Sequence, residues 1–167
     1  MELEDIRRSI LCELEDIKDV ENLCYTDGAF KKLCSEKSFW VHWYHQHHLD
    51  FPNHLHYDLK DWIIEYKQIL KKIDQVNDMF DTLIKGKNTT YVVKIPNHID
   101  LLLLDEEDLE DFLKKSKWTT VKIKYDQGFN IAYYKYQDYM SFNVDKFILF
   151  KFLFNILSAG FSFRKLH

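Results

Sequence analysis

Apolar residues recur at steps of three and four through the first part of the chain, the period of a helix with one buried face. They fall at Ile6, Ile10, Leu11 and Leu14, then at Ile17, Val20 and Leu23, then at Phe30, Leu33 and Cys34. This spacing predicts three short amphipathic helices that close on Phe39 and Trp40, with helical pattern continuing to about His48. Helices this short are marginal alone in water, so they must bury their faces on one another or on a partner. The pattern breaks at Asp50-Phe51-Pro52-Asn53, where Pro52 disfavours helical backbone at Phe51. Residues 1–49 are therefore read as an N-terminal helical unit.

Beyond the break the periodicity lengthens. Leu59, Trp62, Ile63, Tyr66, Ile69, Leu70, Ile73, Val76, Phe80, Leu83 and Ile84 predict one helix over 58–84. At 1.5 Å per residue it would be roughly 40 Å long, with Gly86 placed to end it as a left-handed residue. The period then changes. Residues 90–95 are β-branched and aromatic and read as a strand, closed by Pro96-Asn97. Residues 100–104 fit either a buried strand or a helix entrance, and 105–115 read as a short helix with acids first and lysines last. Residues 119–125 and 129–134 alternate around Asp126-Gln127-Gly128, the signature of a hairpin. Asn143 is placed to cap a last helix over 144–158, with Gly160 beyond its end. The expected architecture is α+β: a helical N-terminal unit, then over 57–167 a long helix and a small antiparallel sheet with covering helices. No internal repeat is present, which removes the solenoid folds.

Composition narrows this reading. The chain has 167 residues, 46% hydrophobic and 16% aromatic, enough to build a core and too apolar for global disorder. Only 4 glycines and 2 prolines argue for long regular elements. With 23 basic and 27 acidic residues, net charge −4, no broad basic face is expected and a general nucleic-acid binder is disfavoured. The three cysteines, Cys12, Cys24 and Cys34, sit at helix-face positions. Their odd number and core-like spacing predict buried reduced thiols in an intracellular protein, without a disulfide framework; the first fifteen residues are charged and lack the long apolar run expected of a signal peptide.

Candidate chemistry is sparse. Six of the eight histidines lie at His42, His45, His47, His48, His54 and His56. His42, His45 and His48 could share one helix face, as a zinc site needs, but no H-E-x-x-H signature accompanies them and the expectation is a solvated surface. The acids from Asp105 to Asp108, with Glu110 and Asp111, lack the glycine and alternation of a calcium loop and suit a helix N-terminus instead. No nucleophile elbow and no glycine-rich phosphate loop occurs, so neither enzyme, cofactor nor metal is predicted. The apolar run 147–163 could be taken for a tail anchor. Lys151 and Asn155 interrupt it, and a central lysine costs about 2.5–3.5 kcal/mol on insertion. A buried helix covering the sheet is the expected form.

The segment LCYTDGAFKKLCSEKSFW, with the helices before it, resembles an F-box, particularly the F-box-like proteins of large DNA viruses of protists. Ile10 and Leu14 correspond to the end of the family's first helix, Ile17, Val20 and Leu23 to its second, Phe30 to the third-helix aromatic, and Phe39-Trp40 to the closing pair. The likeness covers about 45 residues, and their order and spacing carry it more than any single position. The sequence departs from the pattern in lacking a Leu-Pro start, since Glu4 follows Leu3. It also has Thr26-Asp27-Gly28 where the family has a Val-Cys pair. The resemblance implies a protein–protein interaction module that recruits a partner to a cullin–RING ubiquitin ligase through a Skp-type adaptor. The two departures imply weaker affinity than a standard F-box. Candidate adaptor-facing or supporting residues are Leu3, Ile6, Ile10, Leu14, Ile17, Val20, Leu23 and Phe30. An alternative from another class is a virion or assembly component that packs the same helices against another subunit. The expected location is the host cytoplasm or the virion.

Overall fold

Several helix starts in this chain are set by aspartates. Asp16 accepts a hydrogen bond from the Lys18 amide at 2.8 Å, and Asp27 accepts from Ala29 and Phe30 at 2.9 and 3.2 Å. Each satisfies amides that the first helical turn leaves without partners. The computed structural model describes residues 2–49, 51, 58–96 and 106–167. Four helices precede the first break: α1 (Leu3–Glu13), α2 (Ile17–Thr26), α3 (Gly28–Cys34) and α4 (Lys37–Gln46). The first three are those predicted from periodicity, and the Phe39-Trp40 pair lies on the fourth. The long helix α5 (Leu59–Lys85) begins where Asp58 and Asp61 exchange side-chain and backbone hydrogen bonds at 3.0 and 3.1 Å. By contacts the chain divides into two compact units, Met1–Leu70 and Lys71–His167, so the division falls within α5.

The first unit is built around aromatic rings. Phe39, Trp40, Trp43 and Tyr44 of α4 are fully buried, and Trp62 and Tyr66 of α5 join them. Trp40 packs edge-on to Phe39 at 5.1 Å and lies 6.3 Å from Trp62, while Trp43 meets Tyr66 at 5.8 Å. Such contacts add about 0.5–1.5 kcal/mol per pair to the burial itself. Trp40 Nε1 donates to the Cys34 carbonyl at 2.6 Å and the Tyr44 hydroxyl to the Trp62 carbonyl at 3.1 Å, so two polar handles are satisfied inside the cluster. Polar ties hold the periphery: Arg8 to Glu36 at 3.1 Å, Gln46 to the Cys12 carbonyl at 2.8 Å, and Lys67 to Glu21. Phe30, by contrast, is only half-buried. Phe30 sits in the first turn of α3.

Two cysteines correct the expectation of reduced thiols. Cys24 of α2 and Cys34 of α3 are fully buried and joined as a disulfide, with Cα atoms 5.9 Å apart. The sharp turn at Asp27 folds α3 back on α2 and brings the two together; spacing along the chain could not show this. Cys12 stays a free thiol, and burial pushes its pKa up against the opposing charge of Arg8. Closing a loop of this length should contribute about 2–3 kcal/mol. Replacing both Cys24 and Cys34 by alanine is expected to lower the denaturation free energy by that amount. Alkylation of the unfolded chain checks the pairing itself: one site should react before reduction and three after it, and three before reduction would refute the bond.

The second unit is a sheet with helices on one face. Strands β1 (Thr90–Ile95), β2 (Thr119–Tyr125), β3 (Phe129–Lys135), β4 (Asp138–Asn143) and β5 (Arg164–Leu166) form an antiparallel sheet in the order β4-β3-β2-β1-β5. β1, β2 and β3 match the predicted strands. The short edge strands β4 and β5 were not predicted. Tyr91, Val93, Ile95, Val121, Ile123, Ile131 and Tyr133 alternate onto one face. That face is covered by Val76, Met79, Phe80 and Leu83 of α5, by α6 (Glu106–Lys115) and by α7 (Lys146–Ser158). Because β4 runs through Asn143, the cap of α7 moves on to Asp145, which accepts from the Phe147 amide at 2.8 Å. Asn143 instead takes a hydrogen bond from Asn130 across the strands at 3.3 Å.

The last helix, expected over 144–158, is observed as Lys146–Ser158, with Gly160 at φ +90° beyond its end and β5 following. Its polar residues are accommodated: the Lys151 ammonium lies over the Phe147 ring at 4.1 Å, and Asn155 donates to the Lys151 carbonyl at 2.7 Å. Gly86 follows α5 as predicted, but for a different reason. Its φ is not left-handed, and Asn88 at φ 64° reverses the chain instead. A Cβ on Gly86 would lie 2.3 Å from Thr89 Oγ1 and 2.7 Å from the Thr82 carbonyl oxygen, so glycine is required there by close approach. In α6 every residue sits at positive φ, a hand that costs L-residues about 1–2 kcal/mol each, and nothing in the packing accounts for it. Its buried face of Leu109, Phe112 and Leu113 has the spacing that either hand would place together. Residues 100–104, ambiguous in sequence, lie outside the described residues.

Tyr133 supplies a pH test of this core. Burial, reinforced by the hydrogen bond its hydroxyl donates to Glu110 at 3.0 Å, pushes its pKa up to about 12. An unfolded tyrosine titrates near 10. Between these values the folded state holds the proton and the unfolded state has lost it, so stability present below about pH 10 is lost as pH rises toward 12. Tyr133→Phe should flatten that part of the denaturation profile. An unchanged alkaline slope would count against a proton held at this site.

Candidate partner-binding surface

The helix α1 buries little of its apolar content. Leu11 is its one fully buried residue, while Leu3 is 62% exposed and Ile6 and Ile10 are each 42% exposed. Their positions i, i+3 and i+7 put these three on one stripe of the helix, away from the side that carries Leu11. The segment is acidic: Glu2, Glu4, Asp5, Glu13, Glu15 and Asp16 outnumber Arg7 and Arg8 between residues 2 and 16. Three aligned β-branched and leucine side chains left in water are what a partner's apolar groove would take up.

The other sequence-predicted residues are placed differently. Ile17 and Val20, 5% and 0% exposed, belong to the core of the helical unit and can only support the surface. Leu14, Leu23 and Phe30 are half-buried. The eight candidates therefore separate into an outward group on α1 and an inward group on α2, with three residues at the margin. Thr26-Asp27-Gly28 has a local role of its own, because Asp27 caps α3. Sequence reading missed Tyr25, which is 49% exposed on α2. The register of Ile17, Val20 and Cys24 already placed it off the buried face, and that was the available signal.

The histidine cluster does not converge. His42, His45 and His48 are exposed, and His47 is committed to packing: its ring stacks 4.2 Å from Trp43 and its Nδ1 lies 2.8 Å from the Trp43 carbonyl oxygen. His54 and His56 lie outside the described residues. Among the described residues no group of three or more His, Cys, Asp or Glu side chains could hold a metal ion. Glu106, Glu107 and Asp108 of the acidic run are exposed at the start of α6, and Asp105 is outside the described residues. In the second unit an open groove of about 700 Å³ runs between Asp78, Asp81, Thr82, Lys85 and Lys165. Its lining interleaves both signs of charge, so it offers no single-sign field to a ligand. No helix among the described residues is long and apolar enough to cross a membrane. No protein-family model, no curated protein and no solved structure matches this chain.

Proposed function

We propose that the N-terminal unit is a docking module whose contact face is the α1 stripe of Leu3, Ile6 and Ile10, and that its partner is a Skp-type adaptor of a cullin–RING ubiquitin ligase. The observation that carries the proposal is the unburied apolar stripe on a helix that otherwise packs through Leu11. The F-box resemblance supplies the partner. In this arrangement the α+β unit is the half that holds the recruited protein. The acidic balance of residues 2–16 favours a groove with a basic rim, since complementary potentials set register and encounter rate. Titration calorimetry of the full chain with purified adaptor tests it. The expected result is binding weaker than that of a standard F-box, with co-elution. No heat and no co-elution at tens of micromolar would remove the ubiquitin-ligase reading.

One observation favours a second reading, that of a virion or assembly component. The cytosol keeps thiols reduced, whereas virion surfaces are among the settings in which disulfides persist. The Cys24–Cys34 bond fits that setting better than a cytosolic adaptor. Under this reading, capture from infected cells returns viral structural proteins, and the bond is found intact in particles.

A further inference from the structure

Among the described residues, the helices of the second unit pack on one face of its sheet, and the opposite face, whose centre at Val92 and Ala132 is buried, carries a charge pattern that the net charge conceals. Strand register places Arg164, Val92, Lys122, Ala132 and Ser141 in one cross-strand row of that face. The next row holds Lys94, Thr120, Tyr134 and Tyr139, and the row on the other side Leu166, Thr90, Lys124, Asn130 and Asn143. No aspartate or glutamate stands at any of these positions, so four cations face outward without a compensating acid in the strands. Lys94, Lys124 and Arg164 are exposed and Lys122 is half-buried.

Aromatic rings are interleaved with these cations. The Lys122 ammonium lies over the Tyr134 ring at 5.0 Å, and Lys94 lies over Trp118, which immediately precedes β2, at 5.2 Å. Tyr134 and Tyr139 have ring centroids 4.9 Å apart. Trp118 and Tyr139 are 55% and 53% exposed, so about half of each side chain is accessible. Adjacent strands lie about 4.8 Å apart, so the platform from β4 to β5 is roughly 19 Å wide.

We infer that this open face binds single-stranded nucleic acid, with bases stacked on Tyr139 and Trp118 and phosphates held by Lys94, Lys122, Lys124 and Arg164. Charge complementarity selects a polyanion. The rings select among polyanions, because flat π-faces set between cations suit unpaired bases and have no counterpart in an acidic polypeptide. A duplex keeps its bases stacked internally and offers no free base face to the rings. The −4 total does not oppose this, because alternation along each strand sends these cations to one side.

Fluorescence anisotropy of the full-length protein with labelled oligothymidylate of about ten nucleotides tests the inference, with a duplex of equal length and polyglutamate as comparisons. Binding should occur in low salt and weaken steeply as salt is added. Replacing Lys94, Lys122 and Arg164 together by glutamine should reduce the log–log salt slope by about 2, at roughly 0.7 per phosphate contact on a single strand. Tyr139→Ala should weaken binding about five-fold or more, from the range reported for losing one stacked base, while Tyr139→Phe keeps it. Absence of binding at about 50 µM overturns the inference. So does a duplex that binds as tightly as the single strand. Equal competition by polyglutamate, together with an unaffected Tyr139→Ala, overturns it in favour of an acidic protein partner.

Discussion

Replacing Trp40 by alanine should destabilise the N-terminal unit by about 3–5 kcal/mol, the range for deleting a large aromatic side chain from a close-packed core. The ring is fully buried, contacts Phe39, Trp43 and Trp62, and donates its indole N–H to the Cys34 carbonyl. The substitution removes that packing and leaves the carbonyl without its side-chain donor. Phe30→Ala, at a half-buried ring, should cost markedly less. Denaturant unfolding followed by fluorescence distinguishes the two. A loss below about 1 kcal/mol for Trp40→Ala would mean that the aromatic cluster does not organise this unit.

Aspartate at both Ile6 and Ile10 should abolish partner binding and leave the fold intact. Anchors at the centre of an interface carry about 2 kcal/mol or more each, so the pair should weaken association by about a thousand-fold. Both side chains are exposed, so the charges remain in water and the helix keeps its caps and its Leu11 contact. Val20→Asp is the contrasting variant. Val20 is fully buried, and a carboxylate there should unfold the unit instead of unbinding it. Calorimetry with the adaptor and circular dichroism on the same samples separate the effects. Retained affinity in the double variant would move the contact face off α1.

The sequence by itself determined most of the helices and the three central strands, because period 3.6 and period 2 are local properties. The three apolar sets of the first unit, the long helix, the hairpin and the last helix were all legible in this way. So was the packing of the last helix against a sheet through Ile148, Leu149, Phe152, Leu153 and Ile156, since Lys151 and Asn155 argued against lipid. What only the tertiary structure decided depends on neighbours distant in sequence. Periodicity marks Ile10 and Val20 alike as apolar face positions; the packing of α1 through Leu11 leaves the first in water and encloses the second. The Cys24–Cys34 bond follows from the reversal at Asp27, which chain spacing does not encode. β4 was overlooked because edge pairing with β3 is supplied by backbone groups while its side chains stay mostly exposed, leaving a weak apolar signal. Gly86 was assigned a backbone role when its actual constraint is the approach of Thr89. The cationic face of the sheet was hidden for the same reason. Net charge sums both sides of every strand, and only the register shows that no acid stands at the described strand positions of the side opposite the helices.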